Sequence, residues 1–127
     1  MANVIPYIYF KGNCQEAADV YKDIFGGEAE IQKDGNRVIQ LEFTAGDIHF
    51  MGSDAHEKAD NDNAARNLST YSMVLNCDSE DQLKQYFEKL VKGGKEIFGV
   101  TDSGWGAIVA HCEDKFGIAW LLNFDKP

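Results

Sequence analysis

The side chains of this sequence with the means to do chemistry are few: three histidines, three cysteines and two tryptophans among 127 residues. His49 sits in the run Ile48-His49-Phe50-Met51, where strand alternation sets it on one face with Met51 and leaves Ile48 and Phe50 on the other. An imidazole could act there as a donor, acceptor or general base toward a ligand, or could make a structural hydrogen bond at a sheet surface. His111 and Cys112 are neighbours in one strand and face opposite sides, which makes a shared ligand role awkward and favours a structural His111. His56 lies beside Glu57 in a polar stretch and reads as solvated. Cys14 falls in the first turn of a helix, where the dipole lowers a thiol pKa, but with no cationic partner assigned to it the inert reading is preferred. Ser72, Val74 and Asn76 share one alternating strand face, and an asparagine in an apolar strand needs a partner from the protein or from a ligand. Trp105, between two glycines at a strand entrance, could stack on a flat ligand at a pocket rim or join the core; Trp120, in an apolar run, reads as buried under a helix.

Composition limits what these groups could act on. The chain is long enough for one domain and for burial of roughly two thirds of its unfolded surface, so neither a disulfide nor a structural metal is needed for stability. Twelve basic against 21 acidic residues leave a formal charge of −9, which disfavours nucleic acid and anionic membrane as partners. Three widely separated cysteines without a Cys-x-x-Cys pair fit neither a disulfide framework nor a zinc clamp and read as reduced thiols. No run of apolar residues reaches the roughly 18 of a membrane span, and the first residues do not read as a signal peptide. The expectation is a soluble, cytoplasmic protein. Nucleotide-binding and serine-hydrolase glycine motifs are lacking.

The elements that must position these residues come in duplicate. Ala17, Val20, Tyr21, Ile24 and Phe25 follow the spacing of one helical face, and Leu83, Tyr86, Phe87, Leu90 and Val91 repeat it about 66 positions further on. Asn13 and Ser79 precede the two helices as N-caps, and Gly26-Gly27 and Gly93-Gly94 follow as stops. A short strand-like run stands before each helix, Ile5 to Phe10 and Tyr71 to Cys77. After each glycine pair the period changes to about two. The first half then reads Ala29 to Lys33, a turn at Asp34-Gly35-Asn36, Arg37 to Phe43, a turn at Ala45-Gly46-Asp47, and Ile48 to Gly52. The second reads Glu96 to Thr101, Gly106 to Cys112 and Ile118 to Phe124, with turns around Asp102-Ser103-Gly104 and Glu113 to Gly117. The predicted fold is therefore α+β: two βαβββ modules, about 1–52 and 69–127, joined by a polar connector at 53–68 within one domain. Their sheets would form a curved mixed sheet with a concave pocket.

The segments PYIYFKGNCQEAADVYKDIFGGEAEI and DSGWGAIVAHCEDKFGIAWLLN resemble the PhnB-like branch of the vicinal oxygen chelate superfamily, which includes glyoxalase I, extradiol dioxygenases and bleomycin-binding proteins. The resemblance spans the chain and rests on Asn13 with Glu16-Ala17 before Tyr21, Phe25-Gly26-Gly27, Trp105-Gly106, and Phe116-Gly117 followed by Trp120. It implies paired βαβββ modules and commonly a homodimer. It also implies a divalent metal held by His, Glu or Gln, which would polarise a substrate bearing vicinal oxygens. Aligned on the helices and the last glycine, the four ligand positions fall at Pro6, near His49 or Met51, at Ser72 and at Leu121. Proline and leucine cannot ligate, serine rarely does so alone, and only His49 has suitable chemistry. The expectation is accordingly a small-molecule-binding protein with no metal cofactor, its pocket lined by His49, Met51, Ser72, Asn76, Trp105 and Leu121. The alternative is a divalent-metal-dependent lyase, isomerase or dioxygenase with an atypical site including His49, which needs two further ligands near it. A third reading is an interaction module whose connector and sheet edge make a dimer. The acidic balance and the lack of an Arg/Lys cluster give no support for a phosphonate site.

Overall fold

The computed structural model describes residues 2–54 and 72–127; His56, positions 55–68 of the expected connector and Tyr71 lie outside the described residues. The chain forms two units, 1–66 and 67–127.

In the first unit β1 (Tyr7–Phe10), α1 (Cys14–Phe25), β2 (Glu28–Asp34), β3 (Arg37–Ala45) and β4 (Ile48–Asp54) follow one another. The strands make a four-stranded sheet in the order β1-β4-β3-β2. β1 runs parallel to β4, and the other pairs are antiparallel. The helix forms where the 3.6-residue apolar spacing predicts it: Ala17, Tyr21 and Ile24 are buried, together with Cys14 and Ala18. Their partners are large and aromatic. Tyr21 meets Phe43 and Phe50 edge-on, with ring centroids 6.4 and 5.5 Å away. Phe43 and Phe50 are cross-strand partners, stacked at 5.0 Å. The β2–β3 hairpin closes where Asp-Gly demands it, with Asp34 paired to Arg37 across Gly35-Asn36.

Two expectations for this unit need correction. Asn13 stands at the N-cap, but its side chain makes no capping bond. The cap comes from Asp54, whose Oδ1 accepts the Cys14 N–H at 2.9 Å while its Oδ2 accepts the Val38 N–H at 2.9 Å. Ser53 and Asp54, assigned from sequence to the connector, therefore end β4 and are buried. Polarity alone suggested a loop; two backbone donors meeting the carboxylate are what make its burial tolerable.

The second unit repeats the order: β5 (Met73–Asn76), α2 (Glu80–Val91), β6 (Lys95–Asp102), β7 (Ala107–Glu113) and β8 (Ala119–Asp125). Its sheet runs β5-β8-β7-β6, again with the first strand parallel to the last. Leu83, Phe87 and Leu90 of α2 are buried, as are Ile108, Ala110, Cys112, Trp120 and Leu122 of the sheet. Trp120 is in the core, as its apolar run predicts. Its indole N–H donates to Asp114 Oδ2 at 2.9 Å, and Asp114 Oδ1 also accepts the N–H groups of Phe116 and Ile118. Ser79 caps α2 as expected, its Oγ accepting the Gln82 N–H at 3.0 Å, while Gln82 Oε1 accepts the Asp78 N–H at 2.7 Å. The architecture is α+β: two four-stranded mixed sheets, each with its own helix.

Candidate functional site

Each sheet has a helix-packed face and a second face, and the period of two fixes which residues the second one carries. In the first unit, burial of Leu41, Phe43 and Phe50 defines the helix side, so Glu42, Thr44, His49 and Met51 point the other way. The register agrees: Glu42 lies opposite Met51, Thr44 opposite His49, and Met51 opposite Tyr7 on β1. His49 and Met51 are thus together, as the alternation predicts. His49 Nε2 stands 2.8 Å from Glu42 Oε2, both side chains more than a third exposed. The carboxylate can hold the imidazole in one orientation and tautomer. Tyr7 and Tyr9 are the β1 residues of this face, opposite Met51 and Ser53, their rings 5.1 Å apart. Glu30 lies directly opposite Glu42, so the face is acidic on β2 and β3 and aromatic on β1.

In the second unit, Ile108, Ala110, Cys112, Trp120 and Leu122 face the helix side. The other face brings together three residues expected there, Ser72, Asn76 and Leu121. Leu121 lies between Val74 on β5 and His111 on β7. Ser72 Oγ is 3.3 Å from His111 Nε2, and the Phe98 ring meets the imidazole edge-on with centroids 5.6 Å apart. The partner that Asn76 needs is Asn123, whose Nδ2 donates to Asn76 Oδ1 at 3.2 Å and to Asp125 Oδ1 at 3.2 Å. Sequence reasoning left out Phe98 and Asn123 and set His111 apart from the site. The period-two rule that grouped Ser72, Val74 and Asn76 also groups Val109 with His111 and Leu121 with Asn123, and would have found two of them. Phe98 follows an irregularity in the β6 register and is not legible in that way.

Trp105 lies in the turn between β6 and β7 and is 92% exposed. Its N–H donates to Ser103 Oγ, and the neighbouring Gly104 N–H donates to Asp102 Oδ1, which fixes the turn without burying the ring.

The thiols are insulated rather than activated. Burial, and then the nearby Asp54 carboxylate, push Cys14 up to about 12, so desolvation overrides the helix-terminus effect expected from sequence. Cys112 is likewise raised to about 12 by burial and Asp114. Burial and Asp78 raise Cys77 to about 11.

The four superfamily metal positions can be tested against the side chains that occupy them. Pro6 accepts the Met51 N–H through its carbonyl at 2.9 Å, so the first and second positions are indeed neighbours. Yet the side chains of Pro6 and Leu121 have no donor atom. Ser72 is engaged by His111, and His49 by Glu42. Among the described residues no three His, Cys, Asp or Glu side chains are grouped as a metal would need. The donor set does not fit a divalent ion in the superfamily manner. No helix among the described residues is long and apolar enough to cross a membrane.

A family model described as 3-demethylubiquinone-9 3-methyltransferase matches residues 2–123. Among solved structures the chain is similar to protein PA1353 from Pseudomonas aeruginosa, 26% identical with all of both chains covered and a TM-score of 0.85. A PhnB protein from Bacillus cereus, also described as a 3-demethylubiquinone-9 3-methyltransferase, is 19% identical over 97% of this chain and 99% of its own, with a TM-score of 0.77. A glyoxalase/bleomycin resistance protein/dioxygenase from Nocardioides shares the fold at 14% identity, over 99% of this chain and 85% of its own, with a TM-score of 0.56.

Proposed function

The chain belongs to the PhnB-like 3-demethylubiquinone-9 3-methyltransferase family, with a glyoxalase-like fold, and from that premise we propose that it is a small-molecule-binding protein working without the metal centre of the wider superfamily. One observation carries the proposal: two of the four positions that would supply metal ligands are Pro6 and Leu121, whose side chains offer nothing to a cation. The face of the second sheet turned away from α2 offers instead what a small organic ligand needs, apolar and aromatic surface with a few polar groups set into it. The family's description names a methyl transfer; the proposal is confined to binding, which any such step requires first.

A second reading, a divalent-metal-dependent enzyme built on His49, draws support from one contact, the Glu42 carboxylate 2.8 Å from the imidazole. Plasma mass spectrometry on untagged protein purified without chelators separates the two. The proposal expects less than about a tenth of an equivalent of any transition metal, before and after incubation with nickel, manganese, iron or zinc. A near-stoichiometric metal that disappears in His49→Ala would overturn it in favour of the second reading.

A further inference from the structure

We propose that β6 is a guarded edge: an apolar strand that would pair with the β6 of a second copy, and that two bulges, one carboxylate and one hydroxyl keep from doing so. β6 ends its sheet, and among the described residues β7 is the strand paired with it. Its middle is apolar and open to solvent: Ile97 is 46% exposed, Phe98 40% and Val100 37%. The run Glu96-Ile97-Phe98-Gly99-Val100-Thr101 has β-branched and aromatic side chains, no proline and one charge. Such a segment stacks on copies of itself when its backbone is free.

Three features deny a second strand its template. Lys95 pairs with Glu113 and Asp102 with Ile108, so the eight residues of β6 run past positions 108–113 of β7 and leave two over. The surplus falls at two register shifts, one between Glu96 and Phe98 and one between Phe98 and Thr101. Each bulge bends the strand and adds local twist, which turns the edge away from a straight partner. The carboxylate is the second feature. A Cβ built on Gly99 would lie 3.2 Å from Glu96 Oε2, so that group rests against the backbone of the second bulge, where an incoming strand would have to dehydrate it. The third is the Thr101 hydroxyl, which donates to the Gly99 carbonyl at 2.8 Å and so supplies a donor that a ladder would otherwise bring.

β2 holds the same place in the first module, and it shows that neither the apolar run nor the bulges are demanded by the fold. It carries Glu28, Glu30, Gln32, Lys33 and Asp34. Laid antiparallel on a second copy about Ile31, it would set Glu28 directly against Asp34, a like-charge pair that disfavours the contact. Its own backbone needs no bulge: at the irregularity between Gln32 and Lys33 the extra residue, Ile39, belongs to β3. One module protects its edge with charge, the other with shape.

The test removes the guards and leaves the strand. Glu96→Val and Thr101→Val, singly and together, are compared with the parent full chain by sedimentation velocity over a concentration series. The double variant should associate, its weight-average mass rising about twofold over the parent's as two β6 edges pair, and each single variant should rise measurably but less. Adding Val100→Lys to the double variant should restore the parent's mass, because a charge again stands on the edge. Gln32→Val adds comparable apolar surface to β2 and should change nothing, which separates pairing at β6 from general stickiness. Circular dichroism and the unfolding midpoint confirm that each variant is folded, and the single variants decide if the double one is not. The proposal is overturned if the folded variants keep the parent's mass at every concentration, or if Gln32→Val associates as strongly. It is overturned equally if Val100→Lys lowers the mass of the parent itself, since the edge would then be in use rather than guarded.

Discussion

The first module starts its helix with a carboxylate 40 residues away in sequence, Asp54, whereas the second starts its own with Ser79 and Gln82 on the spot. The free faces differ as well: glutamates, a histidine and two tyrosines in one, apolar side chains with amides, a hydroxyl and a histidine in the other. Strand order and helix length are nevertheless the same in both. The contrast shows which parts of a repeated unit the backbone constrains. Whatever sets helix against sheet recurs, and whatever points away from the helix is free of that constraint and diverges. Cap chemistry belongs to neither class, because any acceptor that reaches the first helical N–H will serve.

The recurring part is sharpest at the second glycine of each pair. From sequence the pairs read as helix stops, and Gly26 is one, its N–H donating to the Lys22 carbonyl. The second glycine has a different task. A Cβ on Gly27 would lie 2.2 Å from the Thr44 carbonyl oxygen of β3, and one on Gly94 would lie 2.1 Å from the Glu113 carbonyl oxygen of β7. Each module passes its chain against the third strand of its sheet at a distance that only glycine allows. Gly27 also sits at φ +79°. Gly27→Ala should therefore cost about 3–5 kcal/mol, combining left-handed strain with a backbone collision, and Gly94→Ala about 2–3 kcal/mol from the collision alone. Urea unfolding midpoints measure both. Equal losses would show that the collision dominates and that backbone conformation at Gly27 contributes little.

Next in size are the buried carboxylates. Asp54 ties the start of α1 to β3, and Asp114 ties the β7–β8 turn to the Trp120 indole. Removing either leaves buried N–H groups without their acceptor, a loss of about 3 kcal/mol in each module. Trp120→Phe removes the indole donor and part of a buried ring but leaves the backbone bonds of Asp114, and should cost about 2 kcal/mol, less than Asp114→Ala. If the two cost the same, Asp114 acts through the indole and its backbone bonds in the turn are incidental. Thermal unfolding of the variants, followed by far-ultraviolet circular dichroism, gives the comparison.

The duplication was legible because it is written in periodicities. The two five-point helical faces, the glycine pairs and the Asp-Gly turn are local signals, and each is found where it was expected. Also legible were the burial of Trp120 and the sharing of a face by His49 and Met51, since alternation along a strand is fixed by pleat geometry. What could not be read depends on contacts between distant segments. Asp54 looks like any polar residue entering a loop until β4 carries it beneath the N-terminus of α1. Glu42 gains meaning only when the β3–β4 register sets it diagonal to His49. The Cys14 thiol was read as inert for want of a cationic partner, and so it is, but the cause is burial, which its place in a helix turn does not reveal. Trp105, between glycines, read equally as a pocket-rim or a core residue, and those glycines shape a turn that leaves its ring 92% exposed.

The smallest effect bears most directly on the difference between the caps. Ser79 accepts the Gln82 N–H, and Gln82 answers by accepting the Asp78 N–H, a reciprocal arrangement on an exposed surface. Ser79→Ala should destabilise the second module by about 1 kcal/mol, the usual cost of losing an N-cap hydroxyl. Asn13 occupies the equivalent position in the first module, but its side chain makes no cap bond. Asn13→Ala should therefore fall within about 0.5 kcal/mol of the parent, as for a surface substitution that removes no specific contact. In an Asp54→Ala background the prediction changes. With the distant acceptor gone, Asn13 is the residue placed to cap the helix, and Asn13→Ala should then cost close to the 1 kcal/mol of an ordinary cap. A double-mutant cycle in urea measures that coupling. Strict additivity of Asn13 and Asp54 would mean that α1 can take its cap only from β4, and that the two modules differ in kind rather than in the source of one acceptor.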